Sequence, residues 1–379
     1  MVGTELCPLT PAGGALERLA CGWARGVHAL GHDAFLVSCT RDVCFAPEDW
    51  VRGDRARGER DGPAAAPAWK AVALSREGLV ATSRLSLEFP RSLLDLLRIL
   101  APDVTVLSNR PLWASLCPGA VVHVLHNWPS ALDITSEAER IEASGLLEKG
   151  RCLAVSQALA DAVSSYFGLA AVPKVLYPFI DPAFLDRAER PLTTDASRRV
   201  STVVGRILFP NRLLSKKGVE VLLEAMEMIG AGWHAVLFDN YSPWSEPTAE
   251  HVRLRAAVNA AERALLVPAV SDPGEMALWY ESASVAVVPS VEPEGLGLSA
   301  LEAQAMRVPV VASAIGGLPE ALHETNPPVP PGDARALVEA IRAASRRSAS
   351  ELAEASLWAR RRFRLAPSAR ELARSFPVP

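Results

Sequence analysis

A chain of 379 residues exceeds the usual size of a single hydrophobic core, so two domains are expected, and 49% hydrophobic with 22% charged residues fits a soluble globular protein. A formal net charge of -4 gives no general attraction to nucleic acid or anionic membrane, and the local basic stretch Arg360 to Arg364 reads as a solvated helix face. No apolar run approaches the roughly 18 residues of a spanning helix, residues 1–9 lack the pattern of a signal peptide, and the six cysteines (Cys7, Cys21, Cys39, Cys44, Cys117, Cys152) show no Cys-x-x-Cys spacing; a cytoplasmic protein with free thiols and no metal site is expected.

The diglycine Gly13-Gly14 precedes a helix over 15–30, with apolar positions Leu16, Leu19, Ala20, Trp23 and Val27, closed by Gly31-His32. A strand over 34–38 follows. A glycine turn opening a helix leaves backbone N–H groups free for an anion. Residues 41–69 are rich in Arg, Asp, Gly, Pro and Ala without a period, which predicts a long loop, either an acceptor-contacting segment or an irregular insertion anchored by Trp50 and Trp69. Strands are expected over 101–107 and 120–125, the second running into His126-Asn127-Trp128-Pro129. A histidine at a strand's carboxyl end either projects into a cleft or serves the core. A strand at 152–156, a helix over 157–167 and a strand at 175–180 lead to Asp181-Pro182 and Phe184, and the polar run 187–200 is the expected linker.

Beyond the linker, a strand over 201–205 is predicted to deliver Arg206, and a loop ends at Lys216-Lys217-Gly218 before an amphipathic helix with Val221, Leu222, Ala225 and Met226. Two fixed cations would then meet in one cleft. Strands are expected at 234–238, ending at Asp239-Asn240, and at 264–270. An apolar run over 285–289 precedes Pro293, Gly295 and Gly297 and a helix from Leu298 to Met306; a second run, 308–312, precedes Gly316-Gly317 and a helix at 319–323. Glu294 and Glu302, with seven residues between them, suit sugar hydroxyls better than phosphate. Residues 352–376 read as helical, with Trp358 and Phe363.

The segments Glu294-Gly295-Leu296-Gly297-Leu298, Leu301-Glu302-Ala303 and Gly316-Gly317-Leu318-Pro319-Glu320 resemble the nucleotide-sugar site of glycosyltransferase family 4. Leu296 departs where the family favours an aromatic, and Met306-Arg307 where it favours a small residue and glycine. The resemblance implies an α/β GT-B fold, two Rossmann-like domains facing across a central cleft, with the C-terminal helix crossing back. It places an acceptor domain at 1–186, the linker at 187–200, the donor domain at 201–355 and the returning helix at 356–379. It implies that Gly13 and Gly14, Arg206 and Lys217 hold the donor diphosphate, that Val270 lies beside the base, and that Glu294 to Leu298 and Glu302 bind sugar and ribose. By the same resemblance His126 lies beside the reacting sugar, although Asn127 stands where Asp is common. The implied reaction is retaining and metal-free transfer from a nucleotide diphosphate sugar, UDP-sugar before GDP-sugar, with no cofactor. Alternatives are hydrolysis, epimerisation or phosphorolysis on the same fold, and a non-catalytic nucleotide-sugar-binding partner. The dinucleotide Gly-x-Gly-x-x-Gly pattern is missing, which disfavours a nicotinamide oxidoreductase. Acceptor and oligomeric state are left open, including a lipid-linked acceptor reached through a local patch.

Overall fold

The computed structural model describes residues 15–32, 34–40, 70–75, 97, 101–189, 205–240 and 247–377. Gly13, Gly14, the stretch 41–69 and most of the expected linker lie outside them. The chain divides into two compact units, residues 1–178 with 365–379, and residues 179–364.

In the first unit α1 (Ala15–His28) is followed by the parallel pair β1 (Phe35–Thr40) and β2 (Lys70–Ser75), with Phe35 opposite Lys70. A second parallel sheet runs in the order β3 (Val104–Ser108), β4 (Ala120–Leu125), β5 (Arg151–Ala154), β6 (Lys174–Val175). Helix α2 (Glu137–Lys149) starts in a reciprocal Ser136/Glu139 capping box, and α3 (Gln157–Phe167) is capped by Ser156. The strand expected at 175–180 is instead the short Lys174–Val175, after which the Leu176 N–H still donates to the Ala154 carbonyl at 2.8 Å; the chain then passes through Pro178, which cannot donate to a ladder.

The second unit begins with α4 (Pro182–Glu189) and continues β7 (Gly205–Phe209), α5 (Val219–Met228), β8 (Trp233–Asp239), α6 (Ala249–Ala260), β9 (Ala264–Pro268), α7 (Pro273–Glu281), β10 (Val285–Val288), α8 (Leu298–Ala305), β11 (Val310–Ala312), α9 (Ala334–Ala344) and α10 (Ala349–Arg362). Its five strands are all parallel, in the order β11-β10-β7-β8-β9. All four residues of β10 are buried, as a strand covered on both faces requires. The core gathers Ile207, Phe209, Leu222, Leu237, Val287 and Ile341 between sheet and helices. The helix expected at 319–323 is a 3-10 turn, Leu318–Ala321.

Two boundaries differ from expectation for identifiable reasons. The strand read at 201–205 is Gly205–Phe209: the apolar run Ile207-Leu208-Phe209 fills the ladder and Pro210 ends it. The single helix read over 352–376 is broken at Phe363-Arg364 into α10 and α11 (Leu365–Arg374). Pro367 has no N–H for the carbonyl of Phe363, four residues earlier, and that carbonyl accepts the Ile180 N–H at 3.0 Å instead. The units divide at this break, so α11 belongs to the first unit, where it packs on α1, while α10 stays in the second.

Candidate functional site

The strand order of the second unit reverses between β7 and β10: from β7 the chain moves outward to β8 and β9, then returns to build β10 and β11 on the other side. Open α/β sheets bind ligands outside the carboxyl ends of strands at such a switch point. The loop after β7 carries Asn211, exposed Arg212, buried Leu213 and a short 3-10 turn, Ser215–Lys217, ending at Gly218. Gly218 has φ +81°, and a Cβ there would lie 1.9 Å from the carbonyl oxygen of Pro289. Only glycine permits that approach, which lets the Val291 N–H donate to the carbonyl of Lys216 at 3.0 Å. The loops after β7 and β10 are therefore joined backbone to backbone.

Across this seam Lys217 Nζ lies 2.7 Å from Glu294 Oε1, with side chains only 18% and 12% exposed, and the Ser290 hydroxyl donates to the same carboxylate oxygen. A third loop supports Glu294 from the other side. Gly316, at φ +58°, passes so close that a Cβ would lie 2.5 Å from the Glu294 nitrogen and oxygen, and the Gly317 N–H donates to the Glu294 carbonyl at 2.8 Å. Helix α8 follows its N-cap Gly297 without a side-chain cap, so no capping side chain meets its first N–H groups. Leu296, in place of an aromatic, is buried. Inside α8, Glu302 is 9% exposed, and the Tyr280 hydroxyl lies 3.1 Å from its Oε2. Behind it Gln304 is fully engaged, donating to Ala300 and Ala321 carbonyls and accepting from His323 N–H and Asn326 Nδ2. This arrangement offers a cation, two carboxylates and a helix N-terminus at one end of the sheet, groups suited to phosphate and hydroxyl recognition together.

Arg206 is not part of this group. It stands second in β7, opposite His234, at the amino end of the sheet; its N–H donates to the Ser284 hydroxyl and its carbonyl accepts the Ser284 N–H, Ser284 being the residue before β10. The length of the strand separates it from Lys217. The shifted strand boundary is the cause, because a strand at 201–205 would have put Arg206 at the carboxyl end. Arg212 stands there instead, on the loop of Lys217; the sequence reading passed over it, although its place after a Pro-terminated apolar run was a usable signal. Val270 is linked to the carboxyl end of β8, its N–H donating to Asn240 Oδ1 at 3.2 Å, while Asp239 is paired with His251 and Arg255.

In the first unit His126 follows β4 and is 7% exposed. Asn109, at φ +55°, accepts the backbone N–H groups of His126 and Asn127 at 2.7 and 3.1 Å. The imidazole packs on the Trp23 indole, ring centroids 5.5 Å apart, and Trp23 Nε1 donates to Ser368 of α11 at 2.8 Å. Burial pushes the His126 pKa down from 6.5 to about 3, so the ring is neutral. Among the described residues Cys21, Cys117 and Cys152 are free thiols, and the possible metal-ligand atoms of His323, Glu324 and Glu354 lie within 4.8 Å of one another, both glutamates being exposed. No helix among the described residues is long and apolar enough to cross a membrane.

Residues 204–346 match the family model described as glycosyl transferases group 1. D-inositol 3-phosphate glycosyltransferase of Segniliparus rotundus is 32% identical over 205 residues, 51% of this chain and 43% of that protein. The enzyme of the same name from Xylanimonas cellulosilytica is 38% identical over 112 residues, 30% and 26% of the two chains. The chain thus matches about a quarter to a half of the length of such curated relatives. Among solved structures, sucrose-phosphate synthase of Thermosynechococcus elongatus superposes with a TM-score of 0.75 at 20% identity, covering 98% of this chain and 94% of that one. Anabaena HepE in complex with UDP-glucose superposes with a TM-score of 0.72 at 16% identity, covering 99% and 97%. Residues 204–346, all within the second unit, are thus similar to group 1 glycosyl transferases, on a chain whose fold is GT-B.

Proposed function

We propose that the protein is a retaining, metal-independent glycosyltransferase that moves a sugar from a nucleotide diphosphate sugar to an acceptor hydroxyl. The observation that carries this reading is the Lys217–Glu294 pair, held on two joined loops at the switch point of the second unit. In the proposed reaction Lys217, with Arg212 from the same loop and the N–H groups opening α8, neutralises the departing diphosphate, which is the work a metal does elsewhere. Glu294 accepts from the hydroxyls of the transferred sugar and Glu302 from the ribose. The sugar passes through a cation-like transition state as the bond to the diphosphate breaks. No side chain is assigned as nucleophile: in a front-face reaction the leaving phosphate oxygen takes the acceptor's proton as the new glycosidic bond forms on the same face, so configuration is retained.

UDP-sugars are the first donors to test and GDP-sugars the next; the UDP-glucose complex of the similar HepE fold supports that order. The relatives' names point to inositol phosphate among the acceptors to try, alongside free sugars and sugar phosphates. The protein is placed in the cytoplasm, where nucleotide sugars are made.

The deciding experiment is a thermal-shift and calorimetric screen against UDP, GDP, ADP, TDP and their common sugars with EDTA present. A selective rise in melting temperature, followed by product formation in EDTA with the donor's anomeric configuration kept, is expected. Binding that vanishes in EDTA, or an inverted product, would overturn the metal-free retaining assignment. Donor breakdown without acceptor would indicate a hydrolase.

A further inference from the structure

Tyr280 has no part in the reaction above, yet it is fully buried between the elements that carry the donor site. Its ring meets Phe184 of α4 edge-on, centroids 5.8 Å apart and planes at 78°. Its hydroxyl lies 3.1 Å from the carbonyl oxygen of Ser299, in the first turn of α8, and 3.1 Å from Glu302 Oε2 almost one turn later. The next residue, Glu281, takes Arg187 of α4 in a two-pronged ion pair, both contacts 2.6 Å, with side chains 2% and 15% exposed. The end of α7 is thus fastened to α4 on one side and α8 on the other. The phenol is held in place by these packed elements, and its single proton is shared between the Ser299 carbonyl and the Glu302 carboxylate.

A glutamate side chain free to rotate loses rotamer entropy when a ligand fixes it. Here a hydrogen bond inside the protein has already fixed it, and a carboxylate with one oxygen so anchored still accepts further hydrogen bonds. We propose that Tyr280 is a positioning residue for Glu302, holding the carboxylate ready for the ribose hydroxyls, so that preference for ribonucleotide over 2′-deoxyribonucleotide donors depends on the phenol. This role rests on the donor reading given above.

The test replaces Tyr280 with Phe, which keeps the ring and removes the hydroxyl. KM and kcat are measured for the donor that the nucleotide screen selects and for its 2′-deoxy counterpart, with melting temperatures recorded for each variant. Y280F is expected to raise KM for the ribonucleotide donor about tenfold, the cost of ordering a Glu302 side chain left free to rotate, to leave kcat within about twofold, and to shrink the ribo/deoxy ratio by the same factor. In a Glu302→Gln background the same change should add less than about twofold, because the two residues act as one unit. Equal losses for both donors, an unchanged ratio, or additive effects would show that Tyr280 serves only the fold. Should Y280F fail to fold, Phe184→Leu, which keeps the hydroxyl but loosens its ring, must lower the ribo/deoxy ratio, and an unchanged ratio overturns the role. A wild-type protein that binds no nucleotide sugar overturns the donor reading itself, whereas donor binding with an insensitive ratio overturns Tyr280 alone.

Discussion

Replacing Gly218 with Ala tests whether the loops after β7 and β10 act as one piece. At φ +81° an L residue is strained by about 1–2 kcal/mol. The added Cβ would lie 1.9 Å from the Pro289 carbonyl oxygen, where real contacts keep about 3.0 Å, so one backbone must retreat by about 1 Å. That retreat breaks the Val291 N–H bond to the Lys216 carbonyl, a further loss of about 1 kcal/mol, for a total of about 2–3 kcal/mol. It also moves Lys217 off Glu294, and a misplacement of about 1 Å in a catalytic group can cost about 100-fold in rate. Gly230 supplies the control: it has φ +94° but nothing within 4 Å of its hypothetical Cβ, so Gly230→Ala should show the backbone strain alone. Urea unfolding and kcat/KM for the donor are measured on both variants. Gly218→Ala should be the less stable by about 1 kcal/mol or more and should lose most donor turnover, while Gly230→Ala keeps it. Equal midpoints and equal turnover would refute the idea that the seam positions the site.

Arg212→Ala should raise donor KM about tenfold or more, the worth of one charge-assisted contact to phosphate, while Arg206→Ala should leave it within about twofold because that residue lies at the other end of the sheet; steady-state kinetics on both variants decides, and the reverse ranking would refute the site as drawn. Stability should also fall in acid. Burial holds His123 at about 4 and His126 at about 3 against a usual 6.5, so below pH 6.5 the unfolded chain binds protons that the folded chain refuses. The contribution of each is complete above about pH 6.5 and is lost as pH falls toward its folded value, at up to about 1.4 kcal/mol per pH unit. Urea midpoints from about pH 8 to about pH 4 should trace this slope, and His123→Gln, which keeps a donor for the Leu146 carbonyl, should flatten it; a slope equal to that of the wild type would remove His123 from the account.

The candidate site of the second unit was legible as a cluster because its signals are local. Glu294, Glu302 and the paired glycines sit within one strand-turn-helix-strand-turn stretch, where spacing alone fixes which end of the sheet they reach. Arg206 was misplaced because Val203-Val204 and Ile207-Leu208-Phe209 are both apolar, and periodicity cannot choose between adjacent short runs; the choice is made by pairing with β8 and by Pro210. Helices α2 and α6 gave little signal, since α2 buries only Ala143 and Leu147 and α6 only His251, Leu254 and Val258, too narrow a stripe to stand out among charged residues. Tyr280 looks like any core aromatic until its hydroxyl is traced to Glu302. The tilted ring contact of Trp23 with His126 joins residues far apart in sequence, beyond the reach of any local pattern.

The return of α11 to the first unit also sets an order of events during synthesis. Helix α1 leaves the ribosome early with Trp23 and its neighbours on the face that α11 will cover, but 186 residues of the second unit separate the rest of the first unit from that helix. At roughly 5–20 residues per second the wait is roughly 10–40 s. The second unit is contiguous and can close as soon as Arg364 has emerged, so the later-made unit is the first that can be finished. During that interval the unfinished half presents an apolar helix face in an open state, the surface that holdase chaperones bind. A fusion placed after α11 lengthens the chain without prolonging this exposure, whereas an insertion into the second unit prolongs it.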